Sequence, residues 1–234
     1  PDLIVTVHPS FVGSILDIME ENEIDIPVVT QVADLISITP LWADKRALYT
    51  ICPTEEAKRR VIGFGVPEER IKIFSFPVRE GFCDPAMIKE NHAGELTPTS
   101  DKLTFLIMSG GEGAGNLNKI AEVLLKSFDC NVTILTGNNK RLKNSLEKNF
   151  LPEYPGRINV QGFVTNVQDF MASSDVLITR GSPNVLIEAI NCCIPVVVTG
   201  TLPGQEEENP DFIVQNGLGM ICERINRLPE EIAG

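Results

Sequence analysis

Apolar runs of strand length alternate with stretches of helical periodicity along almost the whole chain. That alternation restricts the fold to repeated βα units around parallel sheets. The runs fall at residues 3–7, 27–31, 48–51 and 71–74, and again at 103–108, 132–136, 158–161, 176–179 and 196–199. Between them Val12, Ile15, Leu16 and Met19 recur at helical spacing, as do Leu117, Ile120, Ala121, Leu124 and Phe128. The pattern fails between 82 and 101, where Cys83-Asp84-Pro85, Asn91-His92-Ala93-Gly94 and Thr97-Pro98-Thr99-Ser100 read as a connector. The expected organisation is therefore a first domain over 1–82, a linker over 83–101 and a second domain over 102–234. With 234 residues, the chain is long enough for real cores.

Charge and cysteine usage exclude several functions. The net charge of −12, from 20 basic and 32 acidic residues, speaks against nucleic acid as a partner, because phosphate neutralisation needs clustered Lys and Arg. No run approaches the roughly 20 apolar residues that cross a bilayer as a helix. The six cysteines form no C-x-x-C pair and have only His8 and His92 beside them, so no metal site is expected. Most stand in apolar contexts, as small buried hydrophobes in a reduced, cytoplasmic compartment. The chain opens on Pro1 without a start methionine or signal peptide, the expectation for an internal piece of a longer protein.

Three polar segments follow apolar strands at the edge where open α/β sheets bind ligands. The loop Ser109-Gly110-Gly111-Glu112-Gly113-Ala114-Gly115-Asn116 joins a strand to an amphipathic helix. Its glycines let backbone N–H groups approach an anion at a helix start, and a bare strand-to-helix turn is the alternative. Asn116-Leu117 stand where a nucleotide triphosphatase loop needs Lys and Ser/Thr, and the dinucleotide fingerprint fails at Asn116 as well. The second segment, Thr179-Arg180-Gly181-Ser182-Pro183-Asn184, gives a cap followed by proline at the first helical position. Glu188 then lies in an apolar helix, where a carboxylate needs a partner: ligand hydroxyls, an internal salt bridge or water. The third, Pro203-Gly204-Gln205-Glu206-Glu207-Glu208-Asn209, clusters amides and carboxylates suited to a sugar's hydroxyls. In it Asn209 competes for a capping role before Pro210, and Glu207 and Glu208 are expected to be solvated. Asn216-Gly217 supplies a stop for the helix that follows.

Together these segments resemble glycosyltransferase family 28, nearest to the monogalactosyldiacylglycerol synthases and processive diacylglycerol glucosyltransferases. The likeness runs through residues 1–9, Cys52-Pro53-Thr54-Glu55-Glu56-Ala57-Lys58, Phe76-Pro77-Val78-Arg79, the glycine loop, Gln161-Gly162-Phe163-Val164, residues 174–179, Glu188-Ala189 and the 203–209 heptapeptide. It implies a GT-B fold, two Rossmann-like α/β domains with parallel sheets, the first incomplete here. It also implies an inverting transfer of a hexose, galactose or glucose, from a UDP-sugar to diacylglycerol or a related lipid. Carried over by motif, Gly110, Gly111, Glu112, Gly113, Arg180, Ser182 and Pro183 face the diphosphate. Gly162, Phe163 and Val164 hold the uracil and Glu188 the ribose hydroxyls, while Gly204, Gln205, Glu206 and Asn209 meet the hexose. The resemblance implies no cofactor and no metal, in keeping with the absence of any Asp-x-Asp pair. It implies a lipid acceptor met at the cytoplasmic face of a membrane through segments upstream of Pro1, where the general base is also expected.

The family's second motif usually reads as a glycine pair followed by Ser/Thr, and Val185 here removes a hydroxyl from it; Arg180 replaces a frequent lysine. His8 and Asp34 follow strands bordering the expected cleft and are weak candidates for acceptor contact, against plainer roles as a turn histidine and a loop carboxylate. Two other functions stay open on the sequence: a non-catalytic sugar-nucleotide-binding module, and a UDP-hexosamine epimerase of the same architecture.

Overall fold

The computed structural model describes residues 1–83, 101–109, 116–203 and 206–233. The chain divides into two compact units, one of Pro1–Pro77 with Pro203–Phe212, the other of Val78–Leu202 with Ile213–Gly234. Residues 78–82, expected in the first domain, thus belong to the second unit. The 203–212 segment, expected within the carboxy-terminal domain, belongs to the first.

In the first unit, β1 (Ile4–Thr6), α1 (Pro9–Glu21), β2 (Val28–Gln31), β3 (Tyr49–Cys52), α2 (Glu55–Gly63) and β4 (Ile71–Ile73) follow one another. The strands form one parallel sheet in the order β1-β2-β3-β4. Helix α1 starts where it does because the His8 side chain accepts from the Ser10 N–H and Pro9 is pre-set for the first turn. It buries Val12, Leu16 and Met19 against the sheet, at the spacing that places them on one face. Helix α2 is started by Thr54, whose hydroxyl accepts from the Ala57 N–H at 3.0 Å and donates to the Leu35 carbonyl at 2.6 Å. Replacing Thr54 by alanine removes both bonds, with an expected loss of about 1–2 kcal/mol in chemical denaturation.

The two faces of this sheet differ. Thr6, Thr30 and Thr50 form a row across β1, β2 and β3, all buried on the face that carries the core residues Val28 and Cys52. The hydroxyls of Thr30 and Thr50 have no partner. On the opposite face the adjacent row is Val5, Val29 and Tyr49, of which Val5 is 55% and Tyr49 39% exposed.

The second unit holds β5 (Thr104–Met108), α3 (Leu117–Ser127), β6 (Asn131–Leu135), α4 (Lys140–Phe150), β7 (Ile158–Gln161), α5 (Val167–Ala172), β8 (Val176–Thr179), α6 (Pro183–Asn191) and β9 (Val196–Val198). Helix α7 (Asn209–Gln215), whose first residues belong to the first unit, leads into β10 (Gly219–Ile221), and α8 (Leu228–Ala233) comes last. Its six strands are all parallel, in the order β10-β9-β8-β5-β6-β7. Counted from the unit's own first strand, this is the doubly wound dinucleotide-fold order, which reverses direction between β5 and β8. Phe105, Leu106 and Ile107 are wholly buried, as a strand covered on both faces requires. The Asp175 carboxylate ties β8 to β5 by accepting from the Thr104 N–H at 2.8 Å. Arg157 donates to the carbonyls of Leu125, Phe128 and Cys130, closing the carboxyl end of α3.

The expected strands all form, with ends shifted by a residue or two, and β10 is an additional one. It is three residues long and opens on Gly219, where a Cβ would overlap the Val196 backbone; pairing with β9, not an apolar run, makes it a strand. Ser182 stands at the N-cap of α6 as expected, but its hydroxyl makes no capping bond. Asn209 is the first residue of α7 and not the residue before it, which moves Pro210 one position into the helix. The Asn216-Gly217 stop is realised: Gly217 takes φ +65°, with Gly217 N–H donating to Val214 and Leu218 N–H to Ile213.

Candidate functional site

The reversal between β5 and β8 opens a crevice at the carboxyl ends of the strands, the place where this class of sheet takes its ligand. Ser109 directly follows β5, and Thr179 and Arg180 close and follow β8. Ser109 and Thr179 are 4% and 3% exposed, and the Ser109 Oγ, Thr179 Oγ1 and Arg180 Nε atoms are all buried without a hydrogen-bond partner. Buried polar atoms are normally paired, so partnerless ones at this edge mark a place fitted to a polar ligand.

A cavity of about 420 Å³ lies in the same unit, a size within the range of small-molecule sites. It gathers residues distant in the sequence: Gly162, Phe163 and Val164 after β7, and Ser182, Val185 and Glu188 of α6 with its cap. Phe163 is 64% exposed, an aromatic ring at the rim. Pro183 is buried behind this wall and fixes the first turn of α6. The start of a helix directed to a cavity carries unsatisfied N–H groups and favours an anion.

Glu188 is 8% exposed, and its Oε1 accepts from both Nε and Nη2 of Arg79, at 3.0 and 2.9 Å. Burial pushes the Glu188 carboxyl above the ordinary carboxylate range, and the charge and hydrogen bonds of Arg79 oppose that rise. The internal salt bridge and the cavity-facing position, alternatives on the sequence, thus coexist. Arg79 was not among the expected site residues. Its guanidinium lies over the Phe82 ring, 4.9 Å from the centroid, and a partner 109 positions away leaves no local trace in the sequence. Thr165 and Gly137 also line the cavity and were not singled out.

The first unit brings together two other residues. Asp34 is half-buried, accepts from the Trp42 indole N–H at 2.8 Å, and is raised by burial, against that hydrogen bond, with the charge of Glu206 adding to the rise. Glu206 is buried. Glu208, expected to be solvated, is instead tied down: its N–H donates to the Ser37 hydroxyl at 3.0 Å and its carboxylate pairs with Arg60 at 2.5 Å. Glu207 is exposed as expected, and Asn209 is wholly buried. His8 is exposed and its Nδ1 caps α1. Gly110, Gly111, Glu112, Gly113, Gly204 and Gln205 lie outside the described residues.

Against known proteins, residues 115–231 match the family model described as glycosyl transferases group 1. The chain belongs to that family. Residues 1–78 match the model for monogalactosyldiacylglycerol (MGDG) synthase. A probable chloroplastic monogalactosyldiacylglycerol synthase of Glycine max is 31% identical over 243 residues, covering all of this chain and 44% of the soybean protein. The chain spans about half the length of the curated relatives it matches. Among solved structures, Acinetobacter baumannii MurG superimposes with a TM-score of 0.67 at 16% identity, covering 100% of this chain and 66% of that one. Anabaena HepE in complex with UDP-glucose gives 0.57 at 15% identity, covering 99% and 68%. At these identities the likeness speaks to the fold alone, and that fold is the expected GT-B type with two parallel-sheet α/β units.

Proposed function

We propose that this protein is a hexosyltransferase that moves a sugar from a UDP-sugar to a lipid, diacylglycerol or a close relative of it. The observation that carries the proposal is the meeting of Gly162, Phe163, Val164, Ser182 and Glu188 around one cavity, at the ligand edge of a doubly wound sheet. The relatives named for monogalactosyldiacylglycerol synthesis support the lipid and favour galactose over glucose. The HepE complex with UDP-glucose supports a uridine nucleotide as the carrier.

In this proposal the backbone of Gly162–Val164 holds the uracil and Glu188 accepts from the ribose hydroxyls. Ser109, Thr179, Arg180 and the start of α6 lie toward the diphosphate. The acceptor hydroxyl, stripped of its proton by a general base, attacks the anomeric carbon with inversion as UDP departs. Positive helix-start dipoles and the Arg180 charge stabilise the departing diphosphate, so the transfer proceeds without a metal. His8 spends its Nδ1 on a helix cap and Asp34 holds Trp42, so neither is assigned the base. The reaction takes place at the cytoplasmic face of a membrane, where the lipid acceptor lies. Among the described residues no helix is long and apolar enough to cross a membrane.

Calorimetry with the full-length protein tests the carrier: UDP is expected to bind with a dissociation constant between about 1 μM and 1 mM, the usual span for enzyme substrates. A folded protein that takes up no UDP at millimolar concentration overturns the proposal. Radiolabelled UDP-galactose and UDP-glucose offered with diacylglycerol vesicles then distinguish the donor. Chelation by EDTA is expected to leave the rate unchanged.

A further inference from the structure

Arg79 and Glu188 form an ion pair whose geometry is one-sided. Both guanidinium donors, Nε and Nη2, converge on the single oxygen Oε1, at 3.0 and 2.9 Å. The carboxylate lies on the cavity wall, and the Arg79 bonds leave Oε2 unused. Stability alone is a poor explanation for the pair. The Arg79 side chain is 54% exposed while that of Glu188 is 10% exposed, and a pair with so much water on the cation contributes little to folding. The arginine is nevertheless held in place. Its guanidinium packs over Phe82, itself 2% exposed, and the backbone between them is pressed on α5, where a Cβ at Gly81 would stand 3.0 Å from Gln168 Nε2.

We propose that Arg79 is a positioning residue: by gripping Oε1 of Glu188 it turns the second carboxylate oxygen to the cavity and so sets the site's demand for a vicinal diol, the pair of hydroxyls a ribose carries. The inference rests on the assignment of a uridine nucleotide to the cavity and adds a residue to it. A carboxylate fixed at one oxygen cannot rotate away, and its free oxygen has lone pairs for two hydroxyl donors. Burial raises the Glu188 carboxyl and Arg79 opposes the rise. Among the described residues lining the cavity, Arg79 and Glu188 are the ionisable ones, so the charge state of the carboxylate depends on this partner.

The test is calorimetry of UDP and 2′-deoxyUDP with full-length wild type, Arg79→Gln and Arg79→Lys across a pH series, with circular dichroism confirming each fold. Wild type is expected to prefer UDP by roughly tenfold or more, the scale of one hydrogen bond to a charged group. That preference should fade as acid protonates Glu188. Arg79→Gln should cut the preference severalfold at neutral pH and move the loss of what remains to higher pH, because nothing then opposes the effect of burial. Arg79→Lys keeps a charge without the two-pronged grip; it should hold the wild-type pH midpoint yet lose part of the preference, and it carries the comparison if the glutamine variant does not fold. A folded Arg79→Gln with the wild-type preference and midpoint overturns the inference and leaves UDP binding standing. So does an Arg79→Lys that keeps the full preference. No UDP binding by wild type overturns the nucleotide assignment itself, and with it this inference.

Discussion

Glu188→Gln is expected to weaken UDP binding by roughly 10- to 100-fold without weakening the fold at neutral pH. In the proposed role Glu188 is a charged acceptor of ribose hydroxyls, and exchanging it for a neutral amide costs about 1.5–3 kcal/mol of binding. The stability side follows from the sign of the titration. Burial raises the Glu188 carboxyl above its ordinary 4.5 in spite of Arg79. A group shifted in that direction adds its stability when protonated, fully below its unfolded value, and loses it as pH rises through the folded value. At neutral pH the ion is therefore a burden on the fold, carried for the ligand's sake, and a glutamine of the same shape relieves it. Arg79, with its side chain 54% exposed, rehydrates when its partner is neutral. Urea midpoints of the two proteins should be equal, or favour the variant, near neutrality. On acidification into the window just above 4.5 the wild type should gain on the variant. A glutamine variant that binds UDP like wild type removes Glu188 from the site.

Phe105→Ala should be the most damaging substitution in the second unit. Phe105 is wholly buried in β5, paired with β6 on one side and β8 on the other, and its ring lies 6.1 Å from that of Phe128. Emptying such a position costs about 3–5 kcal/mol in lost burial and residual cavity. Domains are stable by only about 5–15 kcal/mol, so the variant should be on the edge of unfolding. The measurement is the denaturation midpoint at constant slope. Phe163→Ala is the matching control: a ring 64% exposed should change stability by no more than about 0.5 kcal/mol.

The division of the chain into βα units was legible because a doubly wound sheet imposes the pattern on which it was read: short apolar runs, each bounded by a helix. Much of the cavity was legible for a related reason. Gly162 and Ser182 lie just beyond the carboxyl ends of β7 and β8, Glu188 follows within α6, and every such strand points its end to the same edge. What escaped was tertiary. Arg79 sits in a proline-led connector and finds its partner on a helix 109 residues later. Glu208 looked like one of two solvated carboxylates, and only the approach of Ser37 and Arg60, distant in sequence, fixes it. Ser109 and Thr179 are ordinary small polar residues whose meaning lies in the absence of a partner at a buried edge. β10 has too few apolar residues to announce itself and forms because β9 offers it a ladder.

The strand order has a consequence for how this protein breathes. β5 and β8 are paired on both sides, whereas β7 and β10 are the two edges of the sheet. Fraying therefore starts at the margins, and amide exchange with solvent proceeds inward from them. The crevice between β5 and β8 is bounded by the last backbone groups to let go. A ligand seated there meets a floor that keeps its shape through the small openings that erode the rest of the sheet.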